Sequence, residues 1–494
     1  MNAHDRKAAA KVTIAAIAVF GAVVCANSAI ARPGRTPPDE KQVSSHRYLL
    51  LDSRIIESTE NVKLTVGVVR KDKNNPLFVE DKPWEPSFNN PYLSIVYDEQ
   101  DKIYKCWYSI FIQCTEESWI DRPREKRAWG PWKWSPDRDF GVCYATSKDG
   151  IHWAKPELGV IDFKGSKKNN IVIHGTHGVG VMKDLHETDP KKRYKAILPG
   201  KRRTRVWFSP DGVKWTGKEL PGLDDGDTYN CVFWDPALGK YVLFTRHWQG
   251  PRRTHFRVVS RSDSPDFLKW SPAKVVLAGV DRHLQIHDMP VFRHAGVYIG
   301  LVGLFETGPT GASRQHVELA WSPDSIKWHR IQPGTPLIPN SQDMNDYDWG
   351  CIFAAGPIFK KDEILLYYGA DKGRFMSWRQ GSACLARLRP DGFAGYEQVV
   401  GGNSRTASVT TKPVIAVTGS LRLSADVAMS GYVKVTLLDK ENKALAESDL
   451  IAKTGTDAEV QWKKGFSLDT LKGKEIRLNF ELRDAKLYSF SFSD

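Results

Sequence analysis

A seven-residue phrase, Ser209-Pro210-Asp211-Gly212-Val213-Lys214-Trp215, constrains this chain more than any other feature, because it recurs. Ser147-Lys148-Asp149-Gly150-Ile151-His152-Trp153 has the same form. Ser264-Pro265-Asp266-Phe267-Leu268-Lys269-Trp270 and Ser322-Pro323-Asp324-Ser325-Ile326-Lys327-Trp328 keep its frame, and Arg389-Pro390-Asp391-Gly392-Phe393 is a worn fifth copy. The copies are 55 to 65 residues apart. A period of this size among strand formers is the signature of four-stranded blades repeated around an axis. Five copies predict an all-β chain folded as a five-bladed β-propeller. The phrase itself reads as turn chemistry: Asp caps backbone amides, Gly supplies positive φ, and Trp packs between blades.

Blade three shows the expected grammar. Cys231-Val232-Phe233-Trp234 is an inner strand, residues 235–240 a turn, Tyr241 to Thr245 and Phe256 to Ser260 the next two strands, and the aspartate phrase turns into a fourth at Trp270. The same reading puts inner strands at Pro91 to Val96, Ile171 to Ile173, Met289 to Phe292 and Ile352 to Phe359. Arg47 to Leu77 alternates as strands that would close the ring, so the propeller is expected over 46–397. The Gly/Ser/Thr-rich segment 398–412 reads as a junction. Strict alternation in Tyr432 to Leu437 and Ile476 to Phe480 then predicts a small accessory β-sandwich over 413–494.

At the other end, Arg6, Lys7 and Lys11 precede an apolar run from Val12 to Val24, and Ala29-Ile30-Ala31 offers a cleavage site. This predicts a signal peptide over 1–31, cut after Ala31, then a polar linker over 32–45 and a secreted or periplasmic destination. The run is short for a membrane span, and no other stretch is a better candidate. Removing it lowers the formal charge from +13 to about +11. An exported basic chain with no nucleic-acid reading module suits an anionic polysaccharide rather than nucleic acid, although solvating lysines account for the charge as well. The six cysteines beyond the signal have no C-x-x-C spacing and mostly lie in apolar runs, as small core residues do.

Strand direction alternates within a blade, so the start of strand one, the end of strand two and the start of strand three share one end of the ring. The aspartate phrases lie at the other. This places Asn89, Asn90, Asp225, Asp227, Arg246, His247, His287, Asp288, Glu306, Asp346, Asp348 and Asp371 at the end where propeller pockets open. Asp and Glu converging on a central pocket are the equipment for glycoside chemistry, one carboxylic acid protonating the leaving oxygen while another carboxylate attacks or activates water. Asp227 and Asp288 are the candidate base or nucleophile and acid modulator, and Glu306 the candidate general acid. Asn90, Arg246, His247, His287, Asp348 and Asp371 are candidate substrate binders. The long insertion 115–139 adds Trp129 and Trp132 as stacking surfaces among basic residues, a rim suited to a sulfated or carboxylated glycan, or equally a set of solvated loops. His283, His287 and His294 are spaced towards different ends of a strand, so no metal site is expected, and no motif calls for a cofactor.

Asp81 to Pro91, the strand pair from Tyr229 to Arg246, and Arg387-Leu388-Arg389-Pro390-Asp391-Gly392-Phe393 resemble a group of secreted bacterial proteins related to glycoside hydrolase families 32 and 43. The resemblance implies a five-bladed propeller with, as in family 32, a C-terminal β-sandwich. Family 32 places its nucleophile in an Asn-Asp-Pro phrase, and the matching position here reads Asn89-Asn90-Pro91. The expected activity is glycoside hydrolysis. A glycan-binding propeller without that nucleophile, and a lyase using His287 and Tyr229, are the alternatives.

Overall fold

The computed structural model describes residues 46–114, 136–199, 204–220, 222–223, 226, 228–251, 255–281, 283–307, 313–375, 380–399 and 407–492, with Asn90 described through its backbone alone. The signal segment, Trp129, Trp132 and Asp227 lie outside these residues.

The chain is an all-β propeller. Blade one comprises Ser87–Asp98, Ile103–Gln113, Asp139–Ser147 and Trp153–Ala154. Blade two comprises Val181–Lys183, Tyr194–Leu198, Arg205–Ser209 and Thr216–Glu219. In blade three Cys231–Asp235, Lys240–Gln249, Phe256–Ser264 and Lys274–Ala278 pair in sequence order. Blade four begins with an inner strand in two pieces, Leu284–Asp288 and Val291–His294, followed by Val297–Glu306, Gln315–Ser322 and His329–Ile331. Cys351–Ala354, Ile364–Asp371 and Gly381–Leu388 form blade five, whose outer strand is Arg70–Lys71 from the N-terminal side of the chain. Ser87–Asp98 touches Val181–Lys183, which touches Cys231–Asp235, which touches Val291–His294; Cys351–Ala354 lies against Val297–Glu306 and Gln315–Ser322 of blade four and comes back against Ser87–Asp98, so the ring is closed.

Two parts of the sequence reading differ from the structure. Of Arg47 to Leu77, expected to close the ring, Arg70–Lys71 is the strand that joins a blade, whereas His46–Leu49, Ile56–Glu60 and Val62–Val66 pair within a second sheet system, because alternation does not say which sheet a strand will join. Ile171–His174 is not the inner strand of blade two; it pairs with Asp139–Ser147 of blade one, through Gly141 opposite His174 and Val142 opposite Ile173. Both segments are short apolar runs, and periodicity cannot tell which neighbour such a run will join. The true inner strand, Val181–Lys183, is only three residues long and carries almost no pattern.

The repeated phrases fold alike. The carboxylates of Asp149, Asp211, Asp266 and Asp324 each accept from the two backbone amides two and three residues on, at 2.7–2.9 Å. The indole Nε1 of Trp153, Trp215, Trp270 and Trp328 donates back to the carbonyl three residues earlier. Residue four of the phrase is left-handed even where it is not glycine, with φ of 66° at Phe267 and 65° at Ser325. Three of the tryptophans pack on the preceding blade: Trp215 on Trp107, Trp328 on Phe244 and, across the closure, Trp153 on Tyr367. The fifth phrase is redeployed. Buried Asp391 bonds Arg47, His294 and Ser489, tying the ring to the strands beside it.

Those strands form a second sheet system around Leu421–Leu438 and Glu475–Phe492, which pair along most of their length. Ala407–Thr411 joins it, as do the N-terminal His46–Leu49 and Ile56–Glu60. Its alternating side chains, among them Val433, Val435, Leu437, Leu478 and Phe480, fill a core of their own.

Candidate functional site

Adjacent blades are riveted at the hairpin end. The Tyr194 hydroxyl of blade two donates to Asp98 of blade one, Tyr241 of blade three to Asp184 at the end of blade two's inner strand, and Tyr298 of blade four to Asp235 of blade three. Buried lysines complete two of these joints. Lys105 and Lys183 bond Asp98, and Lys195 bonds Asp184 and Glu187. Burial alone would raise the Asp98 pKa, but the bonds from Lys183, Tyr194 and Lys105 outweigh it and hold the carboxyl below its usual range. Opposite charges meet at this end, and Asp98 is held as an anion.

The other end of the ring gathers a different set. The His287 ring, buried in an aromatic box, lies nearly parallel to Tyr92 at 6.1 Å between centroids and edge-on to Phe305, Phe353 and Phe375. Tyr92 comes from blade one, His287 and Phe305 from blade four, and Phe353 from blade five, so the box straddles the axis. The Tyr92 hydroxyl is 3.5 Å from His287 Nε2, and Asp288 Oδ2 is 3.3 Å from His287 Nδ1. A register shift between Ile286 and Asp288 lets these two consecutive residues reach each other. Asp288 lies over Gly303, where any Cβ would stand 2.1 Å from its Oδ1. Burial raises the Asp288 pKa to about 7, against the pull of Arg246 and the Gln315 amide.

Arg246 reaches the site from blade three and is itself buried. Burial and then the neighbouring Arg257 lower its pKa to about 9. Arg257 is lowered too, chiefly by burial; its guanidinium carbon lies 4.8 Å from the Trp248 ring centroid and 5.0 Å from that of Phe305. His177, stacked on Phe140, is lowered to about 4 by burial, then by Arg246 and Arg138. Three kinds of ionisable group are therefore driven towards neutrality in one region, a pattern that marks functional sites more often than structural ones.

Of the sequence candidates, Arg246, His287 and Asp288 are brought together. Glu306 ends Val297–Glu306 partly exposed, and strand alternation puts it on the face opposite Gly303, over which Asp288 lies. His247 alternates away from Arg246 in the same manner. Asp371 is buried, and its Oδ1 accepts from Gly373 and Gln380 amides, which shapes a loop. Asp348 sits apart, in an ion pair with Lys71 and 3.2 Å from the Tyr368 hydroxyl. His294 is spent on Asp391, and His283 is exposed. Tyr229 is buried and its pKa is raised, chiefly by burial. Tyr92, Arg257 and His177 belong to the site but were not singled out. Arg257 begins a third strand, and the same end-sorting argument could have found it.

No protein-family model matches the chain, and no curated protein sequence matches it. Solved structures similar to it include one titled a glycoside hydrolase, at 13% identity over 69% of this chain and 94% of the other, with a TM-score of 0.45. A variant fructofuranosidase from Schwanniomyces occidentalis, complexed with fructosylnystose, aligns at 10% identity over 84% and 96%, with a TM-score of 0.40. An N-acetylgalactosamine deacetylase from F. plautii, in complex with blood group B trisaccharide, aligns at 13% over 67% and 96%, with a TM-score of 0.42.

Proposed function

We propose that the chain is an exported carbohydrate-active enzyme that cleaves glycosidic bonds in a poly- or oligosaccharide carrying acidic groups, at the axial pocket. The observation that carries this reading is the meeting of Asp288, His287, Tyr92 and Arg246 on the axis, with Asp288 pushed to about 7 by burial. A carboxyl with that pKa holds its proton at neutral pH and gives it up to a leaving oxygen, so Asp288 takes the general-acid role rather than that of base or nucleophile. His287, in contact with its carboxyl, relays or stabilises that proton. Asp227 remains the candidate for the second carboxylate, since Glu306 stands on the strand face opposite Gly303 and Asp288. Arg246 and Arg257 supply two cations for a carboxylate or sulfate on the sugar.

A second reading is β-elimination from a uronic-acid polymer, favoured by the 3.5 Å approach of Tyr92 to His287 beside two arginines. In it the base removes the proton next to the uronate carboxyl, the C4–O4 bond breaks, a C4–C5 double bond forms, and the acid protonates the departing oxygen.

Incubation with neutral, uronate-rich and sulfated polysaccharides tests both. Hydrolysis releases reducing ends without near-ultraviolet absorbance; elimination releases them with it. Binding with no release of ends supports a glycan-binding propeller, in keeping with Asn90 at the family nucleophile position. No binding and no release removes the carbohydrate reading.

A further inference from the structure

At the same end of the ring as the axial cluster lies a cavity of about 320 Å³, between blades one and two. Asp139, His174 and Thr176 line it from the blade-one side, and Arg205, Trp207 and Glu219 from blade two. Asp139 and Arg205 begin the third strands of their blades, so the cavity opens at the same end as the axial site.

Three features define what it holds. The Trp207 ring lies flat across Gly217, its cross-strand partner, where a Cβ would stand 2.8 to 2.9 Å from three ring carbons. Only glycine permits this, and the half-buried indole becomes a platform backed by the sheet. The Arg205 guanidinium carbon sits 5.0 Å from the ring centroid. Second, the Trp207 Nε1–H and the Arg205 Nε–H are both shielded from solvent and find no hydrogen-bond partner among the described residues. Buried donors left unmet are costly, so a small side-chain rearrangement that turns either one toward a ligand oxygen in the cavity is favourable. Third, the described lining residues mix acid and base. His174 Nε2 lies 2.6 Å from Asp139, and Arg205 and Glu219 face each other in register. An indole platform with mixed donors and acceptors, and two carboxylates beside one guanidinium among the described lining residues, suit an uncharged sugar ring, not an anion.

The cavity is continuous in chain with the axial site: Thr176 lines it, and His177, the next residue, feels the charge of Arg246. We propose that this cavity is a subsite for a neutral sugar residue, so that the protein selects a mixed glycan with an acidic unit at the axis and an uncharged unit at the rim. This rests on the carbohydrate reading of the axial pocket and adds the substrate class.

Calorimetric titration with three groups of hexasaccharides tests it: alternating uronate and neutral sugars (unsulfated chondroitin and hyaluronan), all-uronate (oligogalacturonate), and all-neutral (cello- and manno-hexaose). The alternating group is expected to bind tightest. Trp207→Ala and Arg205→Ala should each weaken it at least tenfold and leave all-uronate binding unchanged, and Trp207→Phe, which keeps a stacking ring, should recover part of the loss. Arg246→Ala should weaken the alternating and all-uronate groups alike. If all-uronate binding is sensitive to Arg246→Ala but no ligand responds to Trp207→Ala or Arg205→Ala, the rim subsite is wrong and the axial reading stands. If the wild type binds none of the three groups, both fall. Should Trp207→Ala fail to fold, Arg205→Ala and Trp207→Phe decide the matter.

Discussion

The two ends of the ring bury ionisable groups to opposite effect. At the hairpin end Asp98 is held below its usual range, against burial, by Lys183, Tyr194 and Lys105, while Lys105 is raised because its bonds to Asp101, Tyr194 and Asp98 outweigh burial. At the pocket end burial wins: Asp288 is raised to about 7, Arg246 lowered to about 9 and His177 to about 4. Asp98 and Lys105 lie on strands of blade one, Asp288 and Arg246 on strands of blades four and three, and His177 between strands. Asp98 and Lys105 are held in their charged states and help join blades, whereas at the pocket end burial favours the neutral forms and brings Asp288 to titrate near neutrality. Burial alone is therefore a poor marker of function, and the direction in which it moves a pKa is a better one.

That contrast can be broken at several points. Asp98→Ala would take the shared acceptor from Lys105, Lys183 and the Tyr194 hydroxyl, although Lys105 keeps Asp101 and Tyr194, with an expected loss of about 3 kcal/mol in denaturant melts. Glycan affinity should not change. At the pocket end the pH response carries the test. The folded-state pKa of Asp288 is raised, so its contribution to stability is whole below pH about 4 and is lost as pH rises through about 7. Asp288→Asn should remove a decline of at most about 4 kcal/mol between those limits, leaving a flatter profile of stability against pH. Tyr298→Phe, which takes a donor from buried Asp235, should cost about 1–2 kcal/mol. The smallest effect is expected at the turns: Asp324→Ala removes two amide caps and should cost about 1 kcal/mol, without touching binding.

The turns were fully legible in the sequence because their chemistry is local. An aspartate capping amides two and three residues on needs no knowledge of the rest of the chain, and its repetition gave both the period and the sense of each strand. Strand sense in turn picked out Arg246, His287 and Asp288. What local reasoning could not supply was pairing across distance. Asp348 lies at the right end of a blade, but its partner Lys71 comes from the strand that closes the ring, 277 positions earlier. Ile171–His174 could join either neighbouring blade, and misplacing it hid the start of blade two and with it His177. The box around His287 is assembled by three blades and has no sequence signal at all.

The difference between the two ends is tested most directly by one matched pair of variants, Asp288→Asn and Asp98→Asn, assayed for release of reducing ends from neutral, uronate-rich and sulfated polysaccharides. A positioned general acid contributes roughly a hundredfold to ten-thousandfold in rate, so Asp288→Asn should lose at least that much at neutral pH. Asp98→Asn should retain wild-type turnover at temperatures where it remains folded. Wild-type turnover in Asp288→Asn, or no release by the wild type from any of the three classes, would contradict the assignment of glycan cleavage to the axial pocket.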